Sequence, residues 1–214
     1  MRVRIGRTVK LLSYLFVNLT LSDIMRTLKS TLFKNDLIYV FAIDIETIPE
    51  SVLEAKLDLG EENNKVILKK GEIEELEEFS NRTGEIAWEF NCHRFDGVKE
   101  FFIARDPDMI RHIAWIYKSN DTNRYMILGE RDALLQYGLT LQQFRGQGLA
   151  PAVQKEVMRY LKAKGIKRMF SLVESHNQAS IRSLEKGGFV KVGRVRFVKV
   201  FGLQVSKKLN VAAM

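Results

Sequence analysis

Residues 139–157, LTLQQFRGQGLAPAVQKEV, run from a strand-like stretch through two glycines spaced one residue apart into an amphipathic helix pattern. Gly146 and Gly148 let the backbone approach a ligand closely and tolerate positive φ. Beyond them, the amides of the first helical turn have no partner inside the helix, and the helix dipole adds partial positive charge at the same end. Such a loop suits a pyrophosphate. Pro151 costs no hydrogen bond in a first turn and places the helix start near Leu149. Gln143 and Arg145 precede the glycines, and Arg145 brings a charge of its own. The segment lacks the GKS or GKT ending of a nucleoside triphosphate loop and the GxGxxG run with a downstream acid of a dinucleotide site, which disfavours nucleotide hydrolysis.

Two motifs carry a family resemblance. QFRGQG at 143–148 matches the QxxGxG form of the CoA-binding signature of the GNAT N-acetyltransferase superfamily, and LAPAVQKEVMRYLKAKG resembles its cofactor-facing helix. MFSLVESHNQASIRSLEKGGFVKVG, residues 169–193, resembles that family's closing strand, helix and GF turn, with Asn177 at the helix start and Gly188 and Phe189 at its end. The resemblance covers residues 97–200 well and the earlier part only loosely. It implies a mixed α/β (α+β) sheet flanked by helices and splayed between its fourth and fifth strands, with pantetheine in the gap along Thr140 and Leu141. It further implies acetyl-CoA or another acyl-CoA as co-substrate. The pyrophosphate would lie on the amides of Arg145, Gly146, Gln147, Gly148 and Leu149, with Gln143 shaping the loop and Asn177 bonding the cofactor arm.

In that family an amine attacks the thioester directly, which calls for a base and for an acid to reprotonate the thiolate. Glu174, at the carboxyl end of the strand flanking the splay, is the base candidate by position. His176, whose ordinary pKa suits the role, is next. Family members that use a tyrosine as the acid carry it midway along the helix between Asn177 and Phe189, where this chain has Leu184. Ser183 is a poor acid, and Tyr137 qualifies only if its side chain faces the splay.

The elements that must position these residues follow from periodicity. Strands are predicted at 37–45, 99–104, 112–118, 134–141, 169–174 and 189–200. The second and third form a hairpin around Asp106, Pro107 and Asp108. Helices are predicted at 70–81, 85–95, 149–164 and 179–186, the third with Leu149, Val153, Val157 and Leu161 on one face. Trp88 and Trp115 read as core or groove aromatics, Cys92 as a small buried hydrophobe, and His93 and Arg94 as helix-end residues.

With 214 residues, 46% hydrophobic and 28% charged, the chain is expected to form one globular domain over 36–214 behind a basic helical extension over 1–35. The extension holds an apolar run, 11–17, too short to span a bilayer and followed by no small-x-small cleavage triplet. It reads as two amphipathic helices, packed on the domain or on a dimer mate, with peripheral membrane contact as the other reading. One cysteine and three dispersed histidines imply a reducing cytoplasm and no metal. The net charge of +8 concentrates in residues 91–214, with twenty-two Lys/Arg against ten Asp/Glu. That excess suits an anionic partner. Aromatics are not interleaved with the basic residues, which disfavours nucleic acid. The leading expectation is acetyl transfer to a primary amine of a small molecule of amino-sugar or amino-acid type. The alternatives are an acyl-carrier-protein-dependent N-acyl synthase on the same fold, and a non-catalytic basic module binding RNA or an anionic membrane.

Overall fold

The computed structural model describes residues 33–54, 60, 65–84, 87–123, 125–200 and 203–211. The helices expected over the extension fall on residues 1–32, outside the described set, and residues 33–35 open the first strand. The described residues fall into two compact units, one within 38–195 and 208–211, the other of 33–37, 196–200 and 203–207.

The larger unit is built on a mixed sheet. In chain order its elements are β1 (Phe33–Asp44), α1 (Glu50–Glu54), β2 (Ile67–Lys70), α2 (Ile73–Thr83), a 3-10 turn (Trp88–Asn91), α3 (Cys92–Asp96), β3 (Glu100–Arg105), β4 (Ile110–Tyr117), β5 (Met126–Ile127), β6 (Asp132–Thr140), α4 (Leu149–Ala163), β7 (Arg168–Glu174), α5 (Gln178–Lys186), β8 (Val190–Val200) and β10 (Leu209–Asn210). The strands lie in the order β2-β3-β4-β6-β7-β1-β8. β5 and β10 form a separate parallel pair. In the smaller unit, Lys199 and Val200 at the far end of β8 pair with Gln204 and Leu203 of β9 (Leu203–Gln204).

The predicted hairpin is β3 and β4, turned by Asp106, whose Oδ1 accepts from the amides of Asp108 and Met109. The helix expected over 85–95 is divided between the 3-10 turn and α3. Two short elements, α1 and β2, are absent from the periodicity reading. β2 hydrogen-bonds to β3, and the turn after it needs Gly71, because a Cβ there would come within 2.0 Å of the Phe101 ring.

Alternation along the strands sorts the core into two layers. On one face, Ala114, Ile116, Ala133, Leu135, Met169 and Val173 meet the apolar stripe of α4 (Leu149, Val153, Val157, Leu161) and Ile181 and Leu184 of α5. Each such aliphatic removed from water contributes about 1.5–3 kcal/mol, so this stripe fixes where α4 begins. On the other face, Ile113, Trp115, Tyr117, Leu134 and Phe170 meet Leu76 and Phe79 of α2, Phe90 of the 3-10 turn and Cys92 of α3.

Candidate active site at the parted strands

β6 and β7 pair in parallel only from Asp132↔Arg168 to Leu135↔Ser171. There the Ser171 hydroxyl donates to the Leu135 carbonyl at 3.0 Å. Past that bond β6 continues through residues 136–140 against β4 alone, and β7 continues through Glu174 against β1 alone. The sheet opens into a wedge. β6 also carries a bulge: between Ile113↔Leu139 and Trp115↔Gln136, Ala114 of β4 faces both Tyr137 and Gly138. Tyr137 takes φ of 53°, a conformation costing a non-glycine residue about 1–3 kcal/mol.

The glycine loop stands at the end of β6. Leu141 donates its amide to the Arg111 carbonyl at 2.9 Å, and residues 142–144 make a 3-10 turn. Gly146 and Gly148 both adopt positive φ (83° and 75°), and α4 starts at Leu149. Among the described residues, the amides of 146–150 make no hydrogen bond within the chain. A side chain added at Gly146 would meet nothing within 4 Å, so that flank of the loop is open. This donor row fits a pyrophosphate: unpaired amides at a helix N-terminus, with free space beside Gly146. Arg145 turns back, its Nε donating to the Thr140 carbonyl at 3.2 Å, and so braces the loop against the strand. Gln143 is exposed on the 3-10 turn, and Gln147 holds its Oε1 buried without a partner. His112 and Thr140 share a hydrogen bond of 2.7 Å beneath the loop, and complete burial drives the His112 pKa down to about 4.

Asn177 caps α5, its Oδ1 accepting from the Ser180 amide at 3.1 Å, which leaves the Nδ2 donor for a ligand. Glu174 lies by alternation on the same sheet face as Phe170 and Leu172, half-buried, with His176 Nε2 3.3 Å from its carboxylate and itself 79% exposed. Leu184 is buried in the core on the opposite face at 2% exposure and brings no proton donor. Tyr137 belongs to the Glu174 face, where its ring meets Trp88 edge-on at 4.9 Å and Tyr117 at 6.0 Å. The sequence-derived residues thus divide into a loop group at the end of β6 and a face group, Tyr137, Glu174 and His176, beside the wedge. Trp115 is fully buried, whereas Trp88 is 45% exposed. Sequence reasoning passed over Glu89, next to Trp88, because a single acid in an acidic stretch carries no spacing signal.

A family model described as Acetyltransferase (GNAT) domain matches residues 125–190, the segment from β5 through α5 that holds the glycine loop and Asn177. Solved structures with the same fold include an acetyltransferase from the GNAT family of Colwellia psychrerythraea (TM-score 0.51, 15% identity, 78% of this chain and 57% of that one). A candidate acetyltransferase of that family from Novosphingobium aromaticivorans scores 0.50 at 16% identity, over 76% of this chain and 63% of that one. The glucosamine N-acetyltransferase region of a fungal multi-domain β-N-acetylglucosaminidase scores 0.52 at 15% identity, over 83% of this chain and 22% of that one. The chain spans less than two thirds of the length of these structures. No curated protein matches the sequence. Domain model and fold agree on one class: the chain resembles the GNAT acetyltransferases and has their mixed, splayed sheet flanked by helices.

No group of three or more His, Cys, Asp or Glu among the described residues is arranged to hold a metal ion, and no described helix is long and apolar enough to cross a membrane.

Proposed function

We propose that this protein is an acyl-CoA-dependent N-acyltransferase, moving acetyl from acetyl-CoA to a primary amine of a small molecule of amino-sugar or amino-acid type. The observation that carries the reading is the row of unpaired amides over residues 146–150, presented at the helix start beside the gap between β6 and β7. When bound, the acyl-CoA supplies a thioester carbonyl, to which an amine nitrogen adds with expulsion of the thiol.

The chain's own residues then have separable tasks. The amides of 146–150 and the α4 dipole take the pyrophosphate charge, and Asn177 Nδ2 orients the arm that follows. Along the wedge, an extended pantetheine would run past Thr140 and Leu141 beside a strand that has β4 on its other edge alone, with Arg145 giving up its bond to the Thr140 carbonyl. Glu174, alone or through a water held with His176, takes the proton leaving the amine. Tyr137, displaced by its bulge, stands in for the missing acid at Leu184 and returns a proton to the thiolate. The setting assigned to this chemistry is the cytoplasm.

The test is calorimetric titration of acetyl-CoA into the protein and into a Gly146→Trp variant. The indole adds bulk at the loop, and at φ 83° any side chain also strains the backbone that presents the amides, although its Cβ meets no protein atom within 4 Å. Binding to the parent with at least a roughly tenfold loss in the variant is expected, equivalent to about 1.4 kcal/mol. No binding to either would remove acetyl-CoA and leave the carrier-protein-dependent synthase as the reading to pursue.

A further inference from the structure

Four of the well-buried carboxylates in this chain are neutralised. Glu75 meets Lys69 and Arg105, Glu100 meets Lys118, Asp106 meets Arg111 and Asp132 meets Arg168, all with contacts under 3 Å. Glu89 breaks the pattern. It is half-buried in the 3-10 turn, and among the described residues no Lys, Arg or His pairs with its carboxylate, although the chain carries an excess of eight positive charges. Its place is fixed from below: Trp115 Nε1 donates to the Glu89 carbonyl at 2.6 Å, and the neighbouring Phe90 is fully buried.

Beside it stands Trp88, a large aromatic left 45% exposed. Its ring continues an edge-to-face series through Tyr137 (4.9 Å, 74°) to Tyr117 (6.0 Å, 72°). The middle ring belongs to the bulged residue of β6, just past the point where β6 parts from β7. The Glu89 carboxylate has its own backbone amide as a partner and, among the described residues, no cation; such a carboxylate one residue from an exposed aromatic is the combination that recognises an alkylammonium, through cation–π attraction and a charge-assisted hydrogen bond.

We infer that Trp88, Glu89 and Tyr137 form the acceptor seat of the transferase and select an amine borne on a positively charged alkyl chain over a neutral acceptor. The inference rests on the transferase reading and narrows its acceptor to cationic alkylamines. Burial raises the Glu89 carboxyl above the usual glutamate range, and a bound ammonium would reverse that penalty. The same chemistry is carried by a free diamine and by a lysine side chain.

The experiment titrates 1,5-diaminopentane, its neutral counterpart 1,5-pentanediol and a lysine-containing tripeptide amide into the full chain, following tryptophan fluorescence. Trp88→Phe assigns the signal. Saturable binding of the diamine, lost with pentanediol and weakened about tenfold or more in Glu89→Gln, is the expected result. Whichever of diamine and tripeptide binds more tightly identifies the source of the ammonium. Equal responses to diamine and diol, or a Glu89→Gln variant that binds the diamine as the parent does, would overturn the seat. Acetyl-CoA calorimetry on the same Glu89→Gln sample reports a different site. Retained cofactor binding with altered amine binding shows an intact fold and a local effect, whereas loss of cofactor binding in the parent sinks the transferase reading without touching the amine result.

Discussion

At the scale of single residues, the proton transfers turn on two side chains on one sheet face. Tyr137→Phe keeps the ring that packs on Trp88 and removes only the hydroxyl. It is expected to lower kcat by about a hundredfold, the low end for loss of a general acid, with acetyl-CoA affinity unchanged. Glu174→Gln is expected to act on kcat alike, and steady-state assays check both. Two glycines before a helix serve many turns, and the spacing with Gln143 and Arg145 is what singles this loop out; its conformation follows the pattern, with positive φ at Gly146 and Gly148 and the helix opening at Leu149. Tyr137 was legible only as an open question. Which way it faces depends on a bulge, and nothing at that position announces positive φ in a residue other than glycine. Glu89 was not legible at all, since its distinction lies in the lack of a cation beside it among the described residues, which no spacing announces.

At the scale of elements, the start of α5 separates two uses of one amide. Asn177→Asp keeps an acceptor for the Ser180 amide and loses the Nδ2 donor, whereas Asn177→Ala loses both. Thermal unfolding is expected to find the alanine variant less stable by about 1 kcal/mol and the aspartate variant close to the parent. Calorimetry should find acetyl-CoA affinity reduced in both. Helix α4 matches the sequence reading to within a residue, because an apolar stripe dictates both its face and its ends, whereas β1 opens at Phe33 instead of residue 37 and α2 at Ile73 instead of residue 70. The short elements escaped that reading. β2 has four residues and α1 five, too few for any period to show, and both owe their form to the neighbours they pack on. The stretch from Trp88 to Asp96 became a 3-10 turn followed by a short helix, because Phe90 and Cys92 must both enter the same core layer.

For the whole molecule, the pH at which the fold weakens is set in part by His112. Its folded pKa, about 4, lies below the ordinary histidine value, so between these limits the unfolded chain binds the extra proton. The stability that neutral burial confers is complete above about pH 6.5 and lost as pH falls towards 4, by about 3 kcal/mol in total. Denaturant titrations from pH 8 to pH 4 should show that slope, and His112→Asn should flatten it.

The wedge between β6 and β7 also bears on solvent exchange. Strand backbone inside a sheet is normally protected on both edges, yet residues 136–140 have a strand beside them only on the β4 side. Amides on that stretch turned away from β4 should therefore trade hydrogen for deuterium far faster than those of 132–135 in the same strand. A ligand laid along the gap would silence them, so a deuterium-uptake map of β6 with and without acetyl-CoA would trace the ligand's path residue by residue.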